Sequence, residues 1–396
     1  MDPFDDNNNF DDETTATNFH DALDDGLSDQ VCLDFLEREG KGVLRSYFDS
    51  YGESYSFPVV LACNRSLFRQ LLLMDPEVLT LPVPTSTSGE LAIHEMWKLT
   101  SENLELLMER FPDTLRLVDA NGHTLFHVLC LHQCWELLVP YLNLHPDLLS
   151  LADKVGNYPL HLLTLTIGES YYIDDHEAVR TFYERYVVSG TAWILEKENA
   201  DGWTPWHLLV RSLAWIYGYP SRRRPAYRLL SKLLEHRPDG LRICNRRGKP
   251  PSFAIDCRWG PSDDVFRNLC SAFPDLVRAQ RKQTGESLLH HVIRKWQNDS
   301  RTLRAILAAY PEAARHPMKG NLPVLHFYLP TLRHFFATRD DILFLCELIV
   351  ANPEVTSLPL PDGQPLLVWA ASGRKYLDVV YTVLSTSPQT LLAILK

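Results

Sequence analysis

Three things are scarce in this 396-residue chain: cysteine, long apolar runs, and basic residues near its start. The eight cysteines lack the close, even spacing of a disulfide framework. Cys63, Cys130 and Cys270 fall in predicted helices, so reduced and mostly buried thiols are expected. No run of 18 apolar residues occurs, which excludes an apolar membrane-spanning helix. The opening MDPFDDNNNF has neither the basic n-region nor the apolar h-region of a secretory signal. An intracellular address, cytoplasmic or nuclear, is expected. Residues 1–30 hold ten acids and no Lys or Arg, so the rest of the chain is near neutral, with 40 acids against 39 bases. A block of like charge repels itself and buries little apolar surface, which predicts a disordered acidic tail over 1–28. Nucleic acid is not expected as its partner. Phe4, Phe10, Phe19, Leu23 and Leu27 interleave with the acids, a composition also found in segments that fold on a partner. Disorder throughout is excluded, because 45% of the residues are hydrophobic.

What the chain does have is repetition. A bulky residue, a proline, an acid and a nearby apolar residue recur eight times, at Pro76, Pro112, Pro146, Pro238, Pro274, Pro311, Pro353 and Pro388. Only the last copy replaces the acid, with Gln389. Apolar residues at helical spacing precede each copy, for example Leu104, Leu107, Met108 and Phe111, or Leu229, Leu230, Leu233 and Leu234. Proline ends such a helix, because it disfavours helical geometry in the residue before it and donates no hydrogen bond. Followed by an acid, the same proline suits the first turn of a new short helix, where negative charge meets the helix dipole.

A second phrase is in phase with the first. DANGHTLFHVL (119–129), DKVGNYPLHLL (153–163) and NADGWTPWHLL (199–209) are its clearest copies. Weaker ones run from Gly89 to His94, Gly285 to His290, Asn321 to His326 and Gly363 to Val368. Glycine supplies a left-handed turn, Thr or Ser caps the helix that follows, and Pro fits its first turn. The phrase resembles the turn and first helix of ankyrin repeats, whose consensus reads D-x-x-G-x-T-P-L-H-x-A. Its histidine position falls at Val60, His94, His127, His161, His207, Phe253, His290, His326 and Val368, at intervals of 34, 33, 34, 46, 46, 37, 36 and 42. Three intervals match the roughly 33-residue ankyrin period and the others require insertions.

The fold expected is therefore all-α, an elongated helical-repeat solenoid of about nine divergent ankyrin-like helix pairs over 50–396. A capping helix over 29–49 precedes them, because an end unit would otherwise expose its apolar face. The chain departs from the family where the Pro-acid phrase replaces the Leu-Leu-x-x-Gly-Ala ending of the second helix, and where Phe253 and Val368 replace the histidine. HEAT-like arrays also pair helices, but their unit of about 40–47 residues fits only three of the eight intervals.

Fifteen histidines invite a metal or acid-base reading. Six of them, His94, His127, His161, His207, His290 and His326, hold one equivalent position, where the resemblance implies that the ring bonds neighbouring turns. The densest metal-capable group is His123, His127, Cys130, His132 and Cys134. On a helix His127 and Cys130 would share a face at i, i+3, but two ligands are not a site, since a closed zinc site takes four. No metal or cofactor is expected. His94-Glu95 lacks the second histidine of a zincin motif, since Lys98 stands there; Gly40-Lys41-Gly42 lacks the spacing of a phosphate loop, and no G-x-S-x-G occurs. No catalytic residue can be named.

The function expected is a monomeric, non-catalytic scaffold that binds a protein through its turns, first helices and insertions. Two insertions break the period. One is acidic and aromatic, with Tyr171, Tyr172, Asp174 and Asp175; the other is basic and aromatic, with Trp215, Tyr217, Tyr219, Arg222, Arg223 and Arg224. These residues are candidate partner contacts, although the aspartates could equally pair with the arginines. Trp203 and Trp206 are candidate anchors, and Trp206 is equally placed for the core because it takes the consensus Leu position. The alternatives are an enzyme or enzyme subunit using the His123–Cys134 region, and RNA or phosphate binding through the arginine loop.

Overall fold

The computed structural model describes residues 16–50, 54–84, 86, 89–134, 137–138, 146–166, 191–215, 230–255, 270–296, 300–317, 323–334, 337–373 and 376–394. The chain divides into two compact units, Met1–Lys154 and Val155–Lys396. The regular elements among the described residues are helices, apart from one two-stranded hairpin, Phe48–Ser50 against Ser54–Ser56, and three isolated bridges. None of the described helices is long and apolar enough to cross a membrane.

The first unit starts earlier than its charge predicts. Phe19–Asp24 is a helix whose Phe19, Ala22 and Leu23 are buried, and it packs on Asp29–Glu39. Those three residues stand at i, i+3 and i+4 and form an apolar stripe, so hydrophobic burial there outweighs the repulsion among the acids. The tail expected to end at residue 28 therefore gives way to ordered chain before Phe19, and residues 1–15 lie outside the described residues. The expected capping region is also more divided than one helix: Asp29–Glu39 ends at Gly40, a short 3-10 helix Lys41–Arg45 follows, and the hairpin begins at Phe48. Beyond it, Pro58–Leu61, Ala92–Glu95 and Leu125–Leu131 lie side by side as first helices, and Leu67–Met74 packs on Ser101–Arg110 as second helices.

The second unit repeats this two-layer plan. Pro205–Trp215 packs against Pro159–Thr166 on one side and Pro251–Ala254 on the other, and Leu288–Trp296 packs against Val324–His334. The partner layer has Arg339–Ala351 between Ser300–Ala309 and Leu377–Thr386. Tyr328 closes the seam between the layers: its ring meets Phe344 edge-on at 4.8 Å and its hydroxyl donates to Asp341 at 3.2 Å. The result is an all-α helical-repeat solenoid fold, each helix pair burying its inner stripe on its neighbours.

Each Pro-acid phrase starts a short helical turn. Pro76–Thr80, Pro112–Arg116, Pro146–Ser150, Pro311–Arg315 and Pro353–Ser357 are 3-10 helices. Pro238 leads into Gly240–Arg242, Pro274 into Asp275–Arg278, and Pro388 into Gln389–Ile394. Each repeat thus carries a third short element, which returns the chain from the second helix to the next turn. Gly240 has its own reason to be glycine: a Cβ there would stand 2.4 Å from the indole of Trp206.

Candidate functional site

The recurring surface is the stack of turns that precede the first helices. In several of these turns an Asp or Asn side chain organises the backbone, and a hydroxyl does so at Ser86 and Thr284. Asp119 Oδ1 accepts from the amides of Asn121 and His123 at 2.8 and 2.7 Å; Asn199 Oδ1 accepts from Trp203 at 2.9 Å, and Asn245 Oδ1 from Lys249 at 2.9 Å. The turn glycines, Gly89, Gly122, Gly156, Gly202, Gly248, Gly285 and Gly363, all have φ between 60° and 84°. Successive turns then bond to each other through the backbone. Lys154 N donates to Asn121 O at 2.8 Å, Ala200 N to Val155 O at 2.7 Å, and Lys282 N to Gly248 O at 3.0 Å. Asn245 Nδ2 adds a bond to Gly202 O.

The histidines tie the first helices to this stack. Nδ1 of His127 accepts from the amide and hydroxyl of Thr124 at 3.1 and 2.9 Å, and Nδ1 of His161 accepts from Tyr158 N at 3.1 Å. A backbone amide can only donate, so Nδ1 carries no proton and Nε2 is the N–H of a neutral ring. That N–H reaches a carbonyl near the following turn: His94 to Leu117 at 3.2 Å, His161 to Lys197 at 3.0 Å, and His207 to Lys249 at 3.0 Å. His290 keeps the inner bond, from the Ser287 hydroxyl at 2.8 Å. Among the described residues, His290 Nε2 and both nitrogens of His326 have no hydrogen-bond partner. Burial lowers the pKa of His94 and His326, and brings those of His207 and His290 down to about 4, which keeps these four rings neutral.

The residue just before each cap faces along the turns, and its chemistry changes from turn to turn. His123 stands between two buried carboxylates, 3.4 Å from Asp119 and 3.3 Å from Asp153. Trp203 is half-buried, 5.4 Å from the His207 ring, and carries the Lys249 ammonium 5.6 Å from its centroid. Glu286 is fully buried and meets Arg294 at 2.7 Å and Arg281 at 3.5 Å. Burial alone would raise its pKa, but His291 and the two guanidinium groups outweigh that and hold the carboxyl below its usual range. On the same face of the second unit, Val155 is 55% and Trp193 42% exposed. Tyr158 meets Trp193 edge-on at 6.0 Å, and Lys197 lies 5.3 Å from the Trp193 ring.

Of the candidate partner contacts, Tyr171, Tyr172, Asp174, Asp175, Tyr217, Tyr219, Arg222, Arg223 and Arg224 lie outside the described residues. Trp215 ends the helix Pro205–Trp215, and its side chain is likewise outside them. Trp203 is on the turn face. Trp206 is not: it is 1% exposed, locked over Gly240, because the consensus Leu position points into the core. Its candidacy as a surface anchor is corrected accordingly. Val155, Tyr158, Trp193, Lys197 and Lys249 were not singled out by sequence reasoning. Trp193 and Lys197 do stand at i and i+4, a spacing that signals one face.

The cluster around His127 disperses. Cys130 is buried, Cys134 Sγ contacts Trp97 O at 3.1 Å, and His132 stacks on Trp97 at 4.7 Å. Among the described residues no group of three or more His, Cys, Asp or Glu could hold a metal ion. A groove of about 480 Å³ in the first unit, lined by both polar and apolar side chains, includes His94, Trp97, Lys98, Asp119, His123 and His132.

No family model matches the sequence, and no curated protein matches it. Among solved structures, the crystal structure of the ankyrin repeat domain of Bcl-3, described as a unique member of the IkappaB protein family, is similar to this chain. The identity is 15% and the TM-score 0.40, over 62% of this chain and 99% of that one. The turn glycine, the capped first helix and the Nδ1-accepting histidine are features of this chain itself, and with the two helix layers they resemble the turn and first helix of an ankyrin repeat.

Proposed function

We propose that this chain is a non-catalytic protein-binding scaffold, and that its recognition surface is the turn stack and first helices of the second unit. One observation carries the reading: Val155, Tyr158 and Trp203, on turns whose backbones are bonded to their neighbours, and Trp193, on the 3-10 helix Thr191–Glu196 beside Tyr158, present apolar and aromatic surface. Large rings on a rigid support offer contact area with little loss of entropy on binding, and Trp and Tyr are enriched among residues that dominate binding energy. Lys197 and Lys249, lying over the two indoles, supply charge beside each apolar contact. The aromatic residues of the two insertions are further candidate contacts in this reading.

The test begins with crosslinking of the full chain in a cell extract to obtain a partner, which is then purified. Binding of that partner should weaken roughly tenfold or more in Trp193→Ala/Trp203→Ala, and measurably when Tyr171, Tyr172, Tyr217 and Tyr219 are replaced by Ala. Unchanged binding in both variants would overturn the proposal.

A further inference from the structure

The turns at 245–249 and 281–286 differ from the others in charge. Lys282 N donates to Gly248 O at 3.0 Å, so the two turns lie side by side and Arg247 and Lys249 are brought next to Arg281 and Lys282. Lys295, exposed at the end of the helix Leu288–Trp296, joins the group. Two carboxylates adjoin the cluster: Glu286 is buried and already held by Arg281, Arg294 and His291, and Glu198 accepts from the amide of Arg246. Among the described residues, no carboxylate lies within ion-pair distance of Arg247, Lys249, Lys282 or Lys295. Burial depresses the pKa of Lys249, and the neighbouring charges of Lys295, Arg281 and Arg247 depress it further, with only Glu286 opposing. Like charges assembled on a rigid frame, with their internal counter-ion spoken for, are stabilised by an anion from outside.

We infer that this pair of turns is a receptor for an acidic peptide segment, whose carboxylates pair with Arg247, Lys249, Lys282 and Lys295. The inference rests on the reading of the turn face as a binding surface and names the chemistry of its ligand. A peptide fits better than a nucleic acid for two reasons. The cations form one compact group bordered by Glu198, which would repel a continuous phosphate track. Trp203, half-buried and with the Lys249 ammonium 5.6 Å from its centroid, offers a single ring where stacking along a strand uses several.

The experiment uses the full chain and two labelled probes, a Glu-rich 20-residue peptide and a 20-nucleotide oligothymidine, followed by fluorescence anisotropy at low salt. The peptide should bind more tightly than the oligonucleotide. In Arg247→Glu/Lys249→Glu/Lys282→Glu its affinity should fall roughly tenfold or more, because three attractions become repulsions. A charge-matched control on other exposed sites, Arg69→Glu/Arg110→Glu/Lys232→Glu, should keep at least half of the affinity, and circular dichroism should show both variants folded. Absence of peptide binding, equal loss in both variants, or tighter binding of the oligonucleotide would sink the inference. If the reversal variant does not fold, Lys282→Gln/Lys295→Gln replaces it, with a loss of about threefold expected. Failure here alongside Trp-dependent binding of the crosslinked partner would leave the scaffold reading standing and remove only the acidic ligand.

Discussion

The turns at 119–123 and 245–249 share a backbone and differ in everything they offer to a ligand. In both, an Asx side chain accepts from the amide four residues on, at 2.7 and 2.9 Å, and a glycine takes positive φ. Yet the last residue of the first turn is His123, enclosed by two buried carboxylates, while that of the second is Lys249, surrounded by cations. Backbone conformation here depends on two positions, the Asx and the glycine. The residues between and after them are free to carry any charge, so a repeat can keep its frame while its surface changes.

The sharpest way to break the frame is at Gly122. Its φ is +84°, and a Cβ would lie 2.8 Å from Lys154 N and 3.2 Å from Asp153 Cα. Gly122→Ala therefore adds a backbone clash to left-handed strain and should cost about 3–4 kcal/mol in chemical denaturation. Gly363→Ala, with the same kind of φ and nothing within 4 Å, should cost only the strain, about 1–2 kcal/mol. Similar losses in the two variants would show that stacking of turns contributes little.

His207→Ala should follow at about 3 kcal/mol, since it strands the Lys249 carbonyl and the Thr204 amide and leaves a cavity. His326→Ala, whose ring has no hydrogen-bond partner among the described residues, should lose less.

Acid separates the regions in another way. His207 and His290 have pKa values of about 4 when folded and about 6.5 when unfolded, so between these values the unfolded chain binds more protons. Stability should therefore fall as pH drops from 6.5 towards 4, by about 2 kcal/mol per ring at pH 5. Melting curves from pH 7 to 5 check this, and a flat profile would contradict neutral, buried rings.

Asp153→Asn removes one of the two carboxylates beside His123 and should cost about 1 kcal/mol. Smallest of all, Arg116→Ala breaks an exposed pair with Asp147 and should cost no more than about 0.5 kcal/mol.

Much of the frame was legible because it depends on short-range chemistry. Proline stops a helix wherever it stands, so the Pro-acid phrase marked the third element of each repeat. The Gly–Thr–His phrase marked the turn and first helix, since glycine, cap and ring act within seven residues of chain. The helix at Phe19–Asp24 was missed because net charge was weighed over thirty residues while the apolar stripe occupies six. The site was less legible. Trp203 and Trp206 stand three residues apart in one phrase, and nothing local says that one faces solvent and the other fits over Gly240, 34 residues later.

By itself, the sequence determined that this protein repeats, where each repeat turns, and which ring holds the turn, because those are contacts between near neighbours along the chain. Only the tertiary structure decided which indole is surface and which is core, that His123 sits between two aspartates from adjacent turns, and that Arg247, Lys249, Lys282 and Lys295 form one group. The physical reason is the stacking itself. Hydrogen bonds such as Lys282 N to Gly248 O bring together residues about 34 positions apart. Charge and exposure are properties of such neighbours in space, and chain order does not specify them.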